Sequence, residues 1–421
     1  MSDRHIIKGI SNELIARVLY YLSTGIVIVV LGRELPNQSY GTLFLLISIL
    51  SFATTFSTLG FAPSAARFIS DSIDENQNKI SFIILFSAVF VVSASFITSS
   101  TLVILRNLIS KIVNNNVVAD LLLFSPAYIL AYSGYSYSRI LLQGFRNVSR
   151  SSTVYAVEGI VRVLSVLSLF VIGFSVIKAF SAYVFGYLLS SVMGGVFIYQ
   201  RVSREYSFKI EYDWSLGEKL MHYSVPLAIT RTSRTIESHI DIILLGVFSG
   251  PVSVSHYVVA KQVGTFMQSP AAAVGHAVSP YYKEKIDDDS QNAYKFYMKI
   301  FALTLIGYLS LSIVVVIGSK YIISILFGNN YSESVVVLQL FSIFVLLKSL
   351  TFITENGLDY LGYANRRARI KSISIVFNVL LNVLLIPSFG VIGALVATIG
   401  SYAIYAVYTI RNMFAVLALS R

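Results

Sequence analysis

The chain has no cysteine, so disulfides, thiolate catalysis and cysteine-based metal sites are excluded. It is also poor in charge. Only 13% of its 421 residues are Asp, Glu, Lys or Arg, where a soluble domain carries about 25%. No glycine-rich phosphate loop is present, which argues against direct ATP hydrolysis, and no serine sits in a nucleophile elbow. No His–carboxylate spacing resembles a metal site, and His5, His222 and His276 read as surface or helix-end residues. Nothing in the sequence asks for a cofactor or a metal.

What the chain has is apolar length. Hydrophobic residues make up 55% of it, and the mean hydropathy is +0.73. Twelve spans of about 20 residues would use about 57% of the chain, in line with that fraction. Continuous apolar runs predict spans near 13–31, 42–60, 80–105, 117–142, 155–173, 178–199, 220–248, 252–280, 297–317, 333–355, 372–387 and 391–411. These runs are too long and unbroken for a strand-built barrel. The fold class is an all-α polytopic membrane protein of about twelve helices. Gly25–Leu31 runs into Gly32-Arg33-Glu34 without a small-residue cleavage site, so the first run reads as a retained helix.

In a membrane chain the placement of the +11 net charge matters more than its sum, and no nucleic-acid partner is expected. With the N-terminus inside, 21 of the 32 Lys and Arg fall in inner segments. Only Arg33, Arg106, Lys111, Lys178 and Lys320 fall outside. Arg17, Arg162, Arg231, Arg234, Lys261 and Lys348 lie within spans. This asymmetry predicts a cell (cytoplasmic, inner) membrane protein with both termini cytoplasmic. Trp214, in Tyr212-Asp213-Trp214-Ser215, reads as an interfacial anchor before the seventh helix.

The longest inner connection, 200–219, divides the spans into six and six. The expected domains are an N-terminal lobe 1–199, a cytoplasmic connection 200–219 and a C-terminal lobe 220–421. Aligning Gly32 with Gly246 lays Arg17 onto Arg231. Gly144-Phe145-Arg146-Asn147 resembles Gly362-Tyr363-Ala364-Asn365 in the inner loop before each half's fifth helix. Both halves start on the same membrane side, so the repeat implies pseudo-two-fold symmetry along the membrane normal. Such lobes place a path near the midplane and give alternating access by rocking.

A charge at mid-bilayer costs several kcal/mol, about 2.5 or more on insertion scales, and needs a reason. On the seventh helix, at about 100° per residue, Arg231, Arg234, Glu237 and Asp241 share a sector of about 120°, while His239 points elsewhere. On the first helix Glu13, Arg17, Tyr20 and Thr24 form one polar edge. Glu158 and Arg162, four apart, read as an ion pair holding helices together. Arg17, Arg231 and Arg234 outnumber the acids on their faces and read as cavity-lining, facing an anion that guanidinium binds bidentately. Lys261 and His256 lie in the eighth helix, and Lys348 and Glu355 in the tenth. Glu237 and Asp241 fit either of two roles, arginine partner or cation-coupling site. Pro126, Pro226 and Pro270 lie within spans, where they bend helices for gating or for packing alone.

The second half carries a familiar pattern. Gly362-Tyr363-Ala364-Asn365-Arg366-Arg367 leads into Asn378-Val379-Leu380-Leu381-Asn382 and on to Ile386-Pro387. Phe389-Gly390-Val391-Ile392-Gly393-Ala394, Ala397-Thr398 and Ser401-Tyr402 follow. Leu59-Gly60-Phe61 through Arg67, Asp241 through Gly246, and Tyr257 look similar too. Together they resemble the polysaccharide-flippase (Wzx-like) branch of the multidrug/oligosaccharidyl-lipid/polysaccharide exporter superfamily. The resemblance covers nearly the whole chain. It implies two six-helix lobes, a cationic central cavity, and transfer of polyprenyl-pyrophosphate-linked oligosaccharide from the cytoplasmic to the outer leaflet. It also implies Arg17, Arg231, Arg234 and Lys261 as substrate contacts, with the prenyl tail left among membrane lipids. Glu237, Asp241, Glu158 and Arg162 would be coupling or ion-pair residues, the coupling cation being a proton or sodium. A monomer suffices for such a mechanism, and none of it is enzyme chemistry. Peptidoglycan-precursor flippases usually have fourteen helices, and this chain has no room for two more. Two alternatives stand beside this reading: a cation-coupled drug exporter of the same superfamily, and a membrane glycan polymerase or ligase.

Overall fold

A computed structural model describes residues 3–75, 77–206, 212–288 and 290–419. The expected connection 200–219 includes 207–211, with Lys209, which lie outside the described residues, as does Arg421. Among the described residues the elements are helices and one short 3-10 turn, and no strand is present. They are α1 Asp3–Glu34, α2 Asn37–Thr58, α3 Phe61–Glu75, α4 Lys79–Ile112, α5 Asn116–Leu122, α6 Ser125–Gly144 and α7 Val148–Leu167. There follow α8 Leu169–Ile172, α9 Val176–Glu205, α10 Trp214–Phe248, α11 Gly250–Asp288, α12 Ser290–Phe327, α13 Ser334–Tyr360 and α14 Ala364–Leu419. The chain packs as two units, Met1–His239 and Ile240–Arg421, and α10 contributes to both. The unit boundary falls within the seventh predicted span.

Among the described residues eight helices are long and apolar enough to cross a membrane, or nine when the bent α5–α6 pair counts as one span. Two things separate nine from the expected twelve. First, α14 has 56 residues, about 84 Å of helix, against a hydrocarbon core of about 30 Å. It breaks at Gly390 (φ 51°, ψ −128°), just after Pro387, and so supplies two spans. Second, α10 and α11 have 35 and 39 residues, the length of a span, but arginines, acids and prolines lower their hydropathy. Adding the second half of α14, α10 and α11 to the nine gives twelve.

Local chemistry explains the breaks. α2 starts after Pro36 and ends at Leu59 (φ 41°) and Gly60 (φ 74°). A Cβ on Gly60 would lie 2.4 Å from the Ser224 carbonyl oxygen of α10, so glycine is required by conformation and by space. The turn delivers α3, which is tied to α10 by Ser64 Oγ donating to the Leu220 carbonyl (3.1 Å) and by Arg67 over the Tyr223 ring. The fourth predicted span is not one helix: α5 and α6 meet at 56°. Pro126 sits in the first turn of α6, so it starts a helix and does not kink one. The physical reason is that its missing N–H is one that the first turn leaves unbonded anyway. Trp214 is the first residue of α10 and is exposed. Asp213, just before it, accepts from the Leu216 N–H (3.0 Å) and caps the helix.

In the first unit α1 packs on α7, and α6 and α7 on α9. In the second, α13 packs on α11, α12 and α14, over a cluster of Tyr282, Tyr297, Leu358, Met413 and Leu417. Pro270 lies inside α11, and the neighbouring helix repairs the ladder beside it. Tyr308 Oη of α12 donates to the Met267 carbonyl (3.0 Å) and accepts from the Ala271 N–H (2.9 Å). The hydroxyl stands where the helix's own hydrogen bond would be.

Candidate functional site

Each unit holds polar groups that lipid cannot satisfy. In the first unit α2, α6 and α10 enclose a pocket of about 230 Å³. Arg231, Arg234, Thr235 and His239 line it from α10, Ser51, Thr54, Thr55 and Thr58 from α2, and Tyr132 and Ser136 from α6. Its size is below the roughly 300–1,000 Å³ of drug-sized sites, so it takes a small part of a larger ligand. Arg231 Nη1 donates to Thr58 Oγ1 (3.4 Å). The lining has two guanidinium groups and no carboxylate, and among the described residues neither arginine is in an ion pair with an acid. Arg231 is half-buried and Arg234 exposed, and like charges three residues apart favour an anion between them.

His239 is a correction to the helical-wheel reading, which pointed it away from the arginines. It lines the same pocket, because the pocket takes in an arc of α10 of about 140°, and its Nδ1 contacts Ser48 Oγ at 3.2 Å. Glu237 is half-buried on the same helix.

Arg17 sits in a different cluster. Its Nε donates to Glu13 Oε1 (3.0 Å), which also meets Arg139 at 3.8 Å, while Ser152 Oγ donates to Glu13 Oε2 (2.6 Å). Arg139 lies 4.0 Å over the Tyr155 ring. One carboxylate here faces two guanidinium groups, and the Arg17 side chain is 55% exposed. Nearby, α7 carries the Glu158–Arg162 pair, 3.3 Å apart, with Glu158 0% and Arg162 3% exposed. Arg162 also donates to Thr24 Oγ1 (2.8 Å) and lies between the Tyr20 and Tyr183 rings.

In the second unit Asp241, 2% exposed, has only neutral donors in its hydrogen bonds. Its oxygens accept from Tyr257 Oη (2.8 Å, α11), Asn382 Nδ2 (2.8 Å, α14) and Thr398 Oγ1 (3.1 Å, α14). Asn382 also donates to Asn378 Oδ1 (3.0 Å), while Asn382 Oδ1 is buried without a hydrogen-bond partner. Lys261 lies 5.5 Å from the Tyr257 ring centre. Sequence reasoning missed these partners of Asp241. Asn378 and Asn382, four apart in an apolar helix, were the available signal, since each needs a partner that lipid does not offer.

Further basic residues are held by local pairs. Arg367 is bidentate to Asp359 (2.7 and 2.8 Å), and Tyr405 Oη donates to Glu355 (2.7 Å). His256 bonds Ser334 Oγ at 3.0 Å, and Lys348 lies over Phe344. Two larger cavities, of about 470 and 400 Å³, are apolar grooves, lined in one case by Phe124, Leu169 and Phe185 and in the other by Pro270, Leu303 and Leu311.

Long apolar helices with polar sites set inside them define a multi-pass membrane protein of the transporter kind. The chain belongs to the polysaccharide biosynthesis protein family, whose sequence pattern matches residues 6–285, and the MatE pattern matches residues 226–384. It is 23% identical over 383 residues to the probable low-salt glycan biosynthesis flippase Agl15 of Haloferax volcanii, covering 88% of this chain and 76% of that one. Two solved structures share its fold. An inward-facing multidrug resistance MATE family transporter of the MOP superfamily has a TM-score of 0.72 at 13% identity, over 94% of both chains. The lipid II flippase MurJ, inward closed, has a TM-score of 0.72 at 14% identity, over 96% of this chain and 87% of that one. The all-helical, two-lobed fold expected from the sequence is the fold of these transporters.

Proposed function

We propose that this protein is a flippase that moves a polyprenyl-pyrophosphate-linked oligosaccharide from the cytoplasmic to the outer leaflet for surface glycan assembly. The observation that carries this reading is the pocket around Arg231 and Arg234: two guanidinium groups, no acid and a lining of hydroxyls. Guanidinium binds phosphate oxygens bidentately, and hydroxyl-lined walls suit sugars. Membership of the polysaccharide biosynthesis family and a relative named as a glycan biosynthesis flippase support it.

In this mechanism Arg231 and Arg234 hold the phosphate groups, with Arg17 and Lys261 as further cations on the headgroup's route. The prenyl tail stays among membrane lipids. The protein works as a monomer in the cell membrane with both termini cytoplasmic, the side to which the Lys and Arg distribution points. Asp241 is the seat of the coupling cation. A buried carboxylate hydrogen-bonded only by neutral donors keeps its negative charge uncompensated; it can take a proton itself, or hold sodium with the hard oxygens of Tyr257, Asn382 and Thr398 around it. Alternating access then follows from cation and substrate favouring different conformations.

The same Asp241 cluster favours a second reading, a cation-coupled drug exporter, which the MatE match over residues 226–384 also supports. Reconstituted proteoliposomes separate the two. Outward transfer of a fluorescent polyprenyl-pyrophosphate oligosaccharide is the expected result. Cation-driven efflux of a cationic dye, with no lipid transfer across several headgroups, would replace the flippase reading by the exporter.

A further inference from the structure

The wall of the Arg231 pocket has a chemical polarity of its own. Ser51, Thr54, Thr55 and Thr58 fall within about 100° of one another on α2, at about 100° per residue, and all face the pocket. A hydroxyl has one proton to donate and two lone pairs to accept with. Thr54 Oγ1 donates to the Ser51 carbonyl (2.7 Å), Thr58 Oγ1 to the Thr54 carbonyl (3.1 Å) and Thr235 Oγ1 to the Arg231 carbonyl (3.0 Å). Thr55 Oγ1 donates to Thr235 Oγ1 (3.1 Å). Threonines in helices commonly bond back to their own helix in this way. The consequence here is that four hydroxyls of one pocket have their protons directed into protein; Thr58 and Thr235 each already accept one hydrogen bond, from Arg231 and Thr55, which leaves Thr54 and Thr55 as the acceptors that a ligand can use. Tyr132 and Ser136 complete the lining on the α6 side. The pocket therefore has two charged donors at Arg231 and Arg234 beside a wall of acceptors.

A phosphate is served by the arginines and repelled by lone pairs; a sugar hydroxyl or acetamido N–H is served by lone pairs. We propose that the threonine wall is a sugar subsite, distinct from the phosphate contacts, which seats the first sugar of the substrate. It selects there a neutral or N-acetylated ring over one bearing a carboxylate. This rests on the flippase reading and narrows its substrate class. An acidic sugar placed against the wall leaves acceptor facing acceptor, and such unpaired polar groups are what polar sites reject most strongly.

The test is binding to the full-length protein in nanodiscs with three probes: citronellyl pyrophosphate, its N-acetylglucosamine conjugate and its glucuronic acid conjugate. The wild type is expected to bind the N-acetylglucosamine probe about tenfold tighter than the bare pyrophosphate, a difference of about 1.4 kcal/mol, and the glucuronate probe no tighter than the bare one. The double variant Thr54→Val, Thr55→Val keeps shape and removes two acceptors, and the tenfold preference should collapse to within about twofold. Thr54→Ser, Thr55→Ser restores the oxygens and should retain it, which separates loss of acceptors from misfolding. A valine variant that keeps the preference, or a wild type that favours glucuronate, overturns the subsite. Failure of all three probes to bind, or binding indifferent to Arg231→Ala, overturns the anion site itself and the subsite with it.

Discussion

Among the described residues the two units each bury one carboxylate on a membrane helix and treat it in opposite ways. Glu158 lies 3.3 Å from Arg162, which is as buried as it is, so the pair is neutral and can stay in one arrangement. Asp241 is equally buried, but its three hydrogen bonds come from a phenol, an amide and a hydroxyl. Neutral donors orient and partly stabilise a carboxylate, yet they leave its charge in place. The contrast separates a carboxylate fixed by structure from one available to a mobile cation. Burial alone does not make that distinction; the charge of the partners does.

The largest effect should come from breaking the neutral pair. Arg162→Met strands Glu158 without its counter-charge and should cost about 3–5 kcal/mol of stability in detergent, whereas Glu158→Gln with Arg162→Met should recover most of it. Denaturant or thermal unfolding of the two variants gives the answer, and equal losses would mean that Arg162 acts by packing on Tyr20 and Tyr183 alone. Asp241→Asn is the opposing half of the comparison. It should change stability by less than about 1 kcal/mol, because an amide can still bond these neighbours, while cation-gradient dependence of transport disappears. A loss of stability as large as that of Arg162→Met would put Asp241 in the structural class.

Smaller effects sharpen the contrast between fixed and movable parts. Tyr308→Phe leaves the Met267 carbonyl and the Ala271 N–H beside Pro270 without their bridge, and should cost about 1–2 kcal/mol and alter transport rate through α11. Unchanged melting and rate would make the bridge incidental. Asp213 gives the smallest effect. Its hydrogen bonds to Ser215 and the Leu216 N–H, with Lys79 nearby, hold its carboxyl at about 2, below the usual 3.8. A depressed carboxylate contributes stability above its unfolded value, so the cap is complete above about pH 4 and is lost as pH falls toward 2. Melting followed from pH 5 to pH 2.5 should show a slight acid loss that Asp213→Ala abolishes; an unchanged acid slope in the variant would remove this role.

The sequence made much of the fold legible. Apolar run length located the spans, and Pro387 with Gly390 marked the boundary between the last two: the helical course breaks at Gly390, three residues after a proline that removes a backbone donor. The α5–α6 break was not legible, since both pieces are apolar and only packing shows the bend of 56°. At the candidate site, the helical wheel grouped Arg231 with Arg234 correctly as neighbours, because i and i+3 share a face. It could not supply what faces them. Thr54, Thr55 and Thr58 look like ordinary helix threonines, and only the direction of their protons makes them a wall of acceptors. The partners of Asp241 are similar: Asn382 and Thr398 lie 141 and 157 residues away along the chain, so pattern alone does not join them.

The central claim is that Arg231 binds the anionic headgroup of a lipid-linked glycan, and the most direct test is the leaflet assay on Arg231→Ala and Arg231→Lys beside wild type. Fluorescent polyprenyl-pyrophosphate oligosaccharide in proteoliposomes should move at least about tenfold more slowly with alanine, with lysine in between, as expected for loss of a charged hydrogen-bonding group. Transfer at the wild-type rate in both variants would contradict the claim and remove the anion from this pocket.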